Sequence, residues 1–151
     1  RSFLHSNRMM KIGIVGDRSY QNRTKVKTFI FKLKQKGNVE IVGCGSEWHK
    51  KNDVRYINNW IGDIVKKFSL EMELPYSEFP PSHHNHNMYC ALEPYNYGKP
   101  FKPWNYKDRD KKMVEYCDKF VLFRSRTKDR KELNFMIKRI ELMDKPYVLC
   151  G

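Results

Sequence analysis

The residues that could do chemistry cluster in three short stretches. The first candidate is Arg124-Ser-Arg-Thr-Lys-Asp-Arg130, with basic side chains interleaved with the hydroxyls of Ser125 and Thr127. It lies between an apolar run and a helical pattern. Guanidinium forks, hydroxyls and a helix N-terminus together suit a phosphate. A solvated basic loop is the plainer reading. Glu132 lies just beyond and serves as an acid or base if it faces a pocket. Otherwise it simply favours the helix N-terminus.

The second stretch is Gly16, Asp17, Arg18, Ser19 and Tyr20. A glycine at a strand end lets backbone approach a phosphate, and Arg18 and Ser19 add donors. The third is Gly43-Cys-Gly-Ser46, where Gly43, Gly45 and Ser46 again permit close approach. Neither has the Gly-x-Gly-x-x-Gly spacing of a dinucleotide fingerprint. A tight turn is the alternative for each. His83, His84, His86 and Cys90 fit no standard metal spacing, so neither a metal nor a cofactor is expected. Trp104, Tyr106, Tyr95 and Tyr97 either stack on a base or pack under a long loop.

These stretches need elements to position them. Met10–Gly16 and Val39–Gly43 are short β-branched runs ending in glycine, so they read as buried strands. Lys119–Phe123 and Pro146–Cys150 read the same way, and Leu70–Leu74 alternates with period two as a third strand. Helical spacing runs over 23–36, 54–68, 108–117 and 132–143. Strands alternating with helices predict an α/β, Rossmann-like parallel sheet of about five strands with helices on both faces. Ligands of such sheets sit outside the carboxyl ends of the strands. The three stretches fall there. The expected organisation is an N-terminal extension over 1–9 and one domain over 10–151. That domain carries a long Pro-, Tyr- and His-containing insertion at about 75–106.

Composition narrows the partner. The net charge of the 151 residues is +13, from 30 Lys and Arg against 17 Asp and Glu. Such a field attracts nucleotides, nucleic acid or acidic lipid. No apolar run approaches the ~18 residues of a membrane span, and 1–10 lacks a signal peptide's apolar stretch. Cys44, Cys90, Cys117 and Cys150 form no CxxC pair and read as free thiols in a reducing compartment. A cytoplasmic protein is expected, without a membrane partner.

As an ordered set, three further pieces resemble the SLOG superfamily, in particular its small stand-alone members from bacteria and phages. They are Lys11-Ile-Gly-Ile-Val-Gly-Asp-Arg-Ser-Tyr20, Arg109-Asp-Lys-Lys-Met-Val-Glu-Tyr-Cys-Asp118 running into Lys119-Phe-Val-Leu-Phe123, and Tyr97-Gly-Lys-Pro100. The resemblance spans about 10–151. It implies a Rossmann-like fold that binds nucleotides or nucleotide-derived ligands. Relatives include phosphoribohydrolases that release cytokinins and the DNA-processing protein that holds single strands. By position it implies that Gly16, Arg18, Ser19, Arg109 and the Ser125/Thr127 loop line the ligand site.

The chain departs from the family in three places. Gly43-Cys-Gly-Ser-Glu-Trp-His49 replaces a fuller glycine cradle. Arg109-Asp110 replaces Arg-Asn. Arg124-Ser-Arg-Thr127 replaces the Gly-rich loop and the phosphoribohydrolase signature. Hydrolysis of a nucleotide's N-glycosidic bond is therefore not the leading expectation. The leading expectation is binding of a nucleotide or nucleotide-derived phosphorylated ligand, for sensing or sequestration. The alternatives are single-stranded nucleic-acid binding through a basic surface, and a ligand-free interaction protein that keeps the fold. The fold class often pairs, so a homodimer is open.

Overall fold

The fold is that of a computed structural model, which describes residues 9–17, 20, 22–44, 60–79, 103–124 and 131–151. The side chains of Trp60, Pro103, Lys131 and Glu132 lie outside that description. In chain order the elements are β1 (Met10–Gly16), α1 (Arg23–Lys36), β2 (Val39–Gly43), α2 (Trp60–Glu71), β3 (Tyr76–Glu78), α3 (Pro103–Tyr116), β4 (Lys119–Phe123), α4 (Lys131–Leu142) and β5 (Tyr147–Cys150).

The strands form one five-stranded sheet in the order β3-β2-β1-β4-β5, with every neighbouring pair parallel. Period two along each strand divides the core between the faces. Ile12, Ile14, Ile41, Val121 and Phe123 meet Val26, Ile30 and Leu33 of α1 and Ile61, Val65 and Phe68 of α2. Val15, Val42, Phe120 and Leu122 meet Met113 and Val114 of α3 and Leu133, Met136 and Ile140 of α4. Helices cover both faces of the central strands, as the expected α/β architecture requires. On the α3 side one polar cluster enters the packing. The Tyr116 and Ser77 hydroxyls donate to Glu40 Oε2 at 2.6 and 2.7 Å. Lys11 Nζ lies 4.0 Å from the Tyr116 ring centroid.

The expected third strand is corrected. Leu70 and Glu71 belong to the end of α2, and the strand is Tyr76–Glu78. The alternation of Leu70-Glu-Met-Glu-Leu74 comes from a helix stop. The Leu74 amide donates to the Ser69 carbonyl at 2.9 Å and the Glu73 amide to the Leu70 carbonyl at 3.1 Å. Glu73 has φ 57°. This is the paired 6→1 and 5→2 bonding of a Schellman stop, made without the glycine that normally signals it. The same stop ends α4 at Asp144, which has φ 56°. Helix α3 begins at Pro103 rather than Asp108, with proline in the first turn where its missing amide costs nothing.

The far end of α3 is closed by a side chain from the loop before β5. Lys145 Nζ donates to the carbonyls of Val114, Glu115 and Cys117 at 2.6, 3.0 and 2.7 Å. A cation there satisfies carbonyls that have no partner within the helix and complements the helix dipole. Lys145→Met keeps the stem and removes these bonds. It should lower unfolding free energy by about 1–2 kcal/mol, read from urea denaturation.

Candidate functional site

The sheet order defines where a crevice opens. From β1 the chain crosses through α1 to β2 on one side. From β3 it crosses through α3 to β4 on the other side of β1. The connections leaving β1 and β4 therefore diverge, and their carboxyl ends form a topological switch point. The β1–β4 ladder runs to its edge, where Gly16 pairs with Phe123 and the Asp17 amide donates to the Phe123 carbonyl at 3.1 Å. One residue on, the Arg124 amide donates to the Cys150 carbonyl of β5 at 2.7 Å. Asp17 and Arg124 thus flank the switch point. Asp17 is 1% exposed, and Arg124 is partly exposed.

Tyr20 packs onto the sheet just beyond β1. Its amide donates to the Asp17 carbonyl at 3.2 Å, and its ring lies 5.1 Å from the Phe123 ring. Phe29 meets the same Phe123 ring edge-on at 6.0 Å. The Tyr20 hydroxyl donates to the Gly151 carbonyl at 3.4 Å, and Lys25 Nζ donates to that carbonyl as well. Tyr20 is therefore a packing residue under the site. Burial, with the nearby Cys150, pushes its phenol pKa up.

The two strand-end glycines make room for close packing. A Cβ at Gly16 meets Ile61 Cγ2 at 2.9 Å, so glycine lets α2 close on the end of β1. A Cβ at Gly43 meets the Tyr76 hydroxyl at 2.7 Å. That hydroxyl donates to Glu78 Oε1 at 3.1 Å, and Glu78 pairs with Lys66 at 3.5 Å.

Arg109 sits at the other flank of the carboxyl edge, beside β2 and β3. Its Nε donates to Asp110 Oδ1 at 2.7 Å, and one terminal nitrogen donates to the Phe79 carbonyl at 3.4 Å. The Phe79 amide in turn donates to the Gly43 carbonyl at 2.9 Å. The guanidinium carbon lies 5.8 Å from the Tyr106 ring. Arg109 and Asp110 are both buried, as is Asn105 one turn earlier. In the sequence Asp110 marks only the departure from Arg-Asn and carries no candidate role. Neighbours at i and i+1 on a helix usually point apart, so spacing carried no signal for this pair.

Of the expected site residues, Gly16, Asp17, Tyr20, Gly43, Arg109 and Arg124 are placed at the carboxyl edge. Gly16, Asp17, Tyr20 and Arg124 gather around the switch point, while Gly43 and Arg109 lie toward β3. Arg18, Ser19, Gly45, Ser46, Ser125 and Thr127 lie outside the described residues. The imidazoles of His83, His84 and His86, and Cys90, lie outside them too. Among the described residues no group of three His, Cys, Asp or Glu is placed to hold a metal. Cys44 and Cys117 are buried free thiols, and Cys150 is a half-buried one. Burial pushes the Cys117 thiol pKa far up, which leaves it unreactive. A cavity of about 590 Å³ opens at the opposite, amino edge. Met10, Phe29, Leu33, Val39, Val121 and Val148 line it, together with Lys36 and Lys119. No described helix is long and apolar enough to cross a membrane.

Two outcomes follow from these contacts. Arg109→Ala takes the guanidinium away from the buried Asp110 carboxylate and should cost about 3 kcal/mol in urea unfolding. The second concerns alkaline pH. Burial first, then the charge of Glu78, raises the Tyr76 pKa above its ordinary value of 10.0. The folded state then keeps a proton that the unfolded chain releases. Stability from this group is fully present below pH 10 and falls as pH rises beyond it. Urea midpoints measured from pH 8 to 11 should fall less steeply for Tyr76→Phe than for the native chain.

No family model matches the chain, and no curated protein does. Among solved structures it is similar to DNA processing protein A from Helicobacter pylori, described for its single-stranded DNA binding mode. The TM-score is 0.63 at 12% identity, over 95% of this chain and 66% of that chain. At that identity the likeness is one of fold: an α/β, Rossmann-like parallel sheet.

Proposed function

We propose that the chain binds a single-stranded nucleic acid at the carboxyl edge of its sheet, with the phosphate backbone seated at the β1–β4 switch point. The observation that carries this reading is the position of Arg124. It leaves β4 beside Asp17, where a parallel sheet opens its crevice, at the start of a stretch that adds Ser125, Arg126, Thr127, Lys128 and Arg130. A formal net charge of +13 supplies the long-range attraction. The shared fold adds support, because DNA processing protein A binds single-stranded DNA. On this reading the chain is a SLOG-like binding protein. Arg18, Ser19, Gly45, Ser46, Ser125 and Thr127 complete the site around Gly16, Asp17, Gly43, Arg109 and Arg124.

The expectation of a free nucleotide or nucleotide-derived ligand concerns the same edge. Its distinguishing mark is a compact contact with a shallow salt response, whereas a strand gives log K falling by about 0.7 per phosphate contact for each unit of log salt. The test is fluorescence anisotropy of labelled dT20 at several salt concentrations, with AMP, ATP and ADP-ribose as competitors. The account expects saturable, strongly salt-dependent binding. Arg124→Ala should weaken it about tenfold, as loss of a charge-assisted contact does. Lys119→Ala, at the opposite edge of β4, should leave it unchanged. Efficient competition by one mononucleotide with little salt dependence would shift the function to a nucleotide pocket. Absence of binding to every probe would leave an interaction protein.

A further inference from the structure

Helix α1 runs from the switch point to the amino edge, and its solvent side has an unusual order. The 14 residues RTKVKTFIFKLKQK contain Arg23, Lys25, Lys27, Lys32, Lys34 and Lys36 and no acidic residue. At about 100° per residue, Val26, Ile30 and Leu33 share the buried face. Arg23, Lys27 and Lys34 then form one row beside that face, and Lys25, Lys32 and Lys36 form a second row on its other side. Between the rows lies an exposed crest of Thr24, Thr28, Phe31 and Gln35. Phe31 is 49% exposed.

The rows are anchored at the switch-point end. Lys25 Nζ donates to the Gly151 carbonyl, which also receives the Tyr20 hydroxyl. Arg23 and Lys27 both sit 5.3 Å from the Phe68 ring of α2. An aromatic face orients a cation without cancelling its charge.

We infer that α1 is a second contact surface for the same strand, its two cationic rows holding phosphates and Phe31 offering a face on which a base stacks. This rests on the nucleic-acid reading above and extends it from a pocket to a track. The pattern fits a single strand better than a duplex, because stacking on Phe31 needs an unpaired base and works for any sequence. Exposed large hydrophobics occur elsewhere on this surface, and Phe31 is set apart by standing between two rows of cations. An anionic lipid surface is the competing partner for a basic helix with an apolar residue on it.

The experiment uses the full chain and labelled dT5 and dT20, with U20 to separate RNA from DNA, and phosphatidylglycerol vesicles as a further arm. The variants are Phe31→Ala and Lys27→Gln/Lys34→Gln, all at exposed positions, with circular dichroism as a folding check. Native chain should bind dT20 more tightly than dT5. Phe31→Ala should weaken dT20 binding about tenfold and change dT5 binding little. The double variant should make the salt slope shallower by about one unit. Native-like dT20 binding by both variants, with Arg124→Ala still impaired, overturns the track and leaves the switch-point site standing. No dT20 or U20 binding by the native chain overturns both. Vesicle binding that depends on Phe31, without nucleic-acid binding, assigns the surface to lipid and overturns the inference.

Discussion

Pairing between β1 and β4 is the constraint on which the remaining geometry depends. The Lys11 amide donates to Asp118 Oδ2 at 2.9 Å, and the Asp118 amide donates to the Lys11 carbonyl at 2.8 Å. These bonds fix the ladder at its amino end, and Asp17 with Phe123 closes it at the carboxyl end. A slip of one residue moves every side chain to the other face. A slip of β4 would put Leu122 where Phe123 belongs, against the wrong helices. The ladder therefore sets which residues emerge at the crevice, and Arg124 emerges there because Phe123 is fixed opposite Gly16.

Close packing holds the described part of that edge. Gly16 lets Ile61 approach, and the Tyr20, Phe123 and Phe29 rings pack against one another. Phe123 is fully buried and Tyr20 nearly so. The acidic Asp17 is held inside this packing, while Arg124 is partly exposed at the edge and the cationic groups along α1 are exposed. The charge asymmetry between interior and surface follows from the fold.

Much of this was legible in the sequence. Val26, Ile30 and Leu33 at helical spacing gave α1 its bounds. The β-branched runs Met10–Gly16 and Val39–Gly43 end as strands where their glycines do. The third strand was not legible, because Glu73 and Asp144 make left-handed helix stops that glycine usually makes, and a helix end reading Leu-Glu-Met-Glu-Leu imitates strand alternation. The reasons for Gly16 and Gly43 were also hidden, since close approach depends on Ile61 and Tyr76, which are distant in sequence. Arg109 was found through family resemblance. Its partners Asp110 and the Phe79 carbonyl follow only from tertiary structure.

The most direct test of the central claim is amide chemical-shift mapping of the ¹⁵N-labelled chain during titration with dT10. The account predicts shifts concentrated at Asp17, Tyr20 and Arg124, at the carboxyl ends of β1 and β4. Shifts confined to Met10, Asn38, Lys119 and Tyr147 at the amino edge would contradict it.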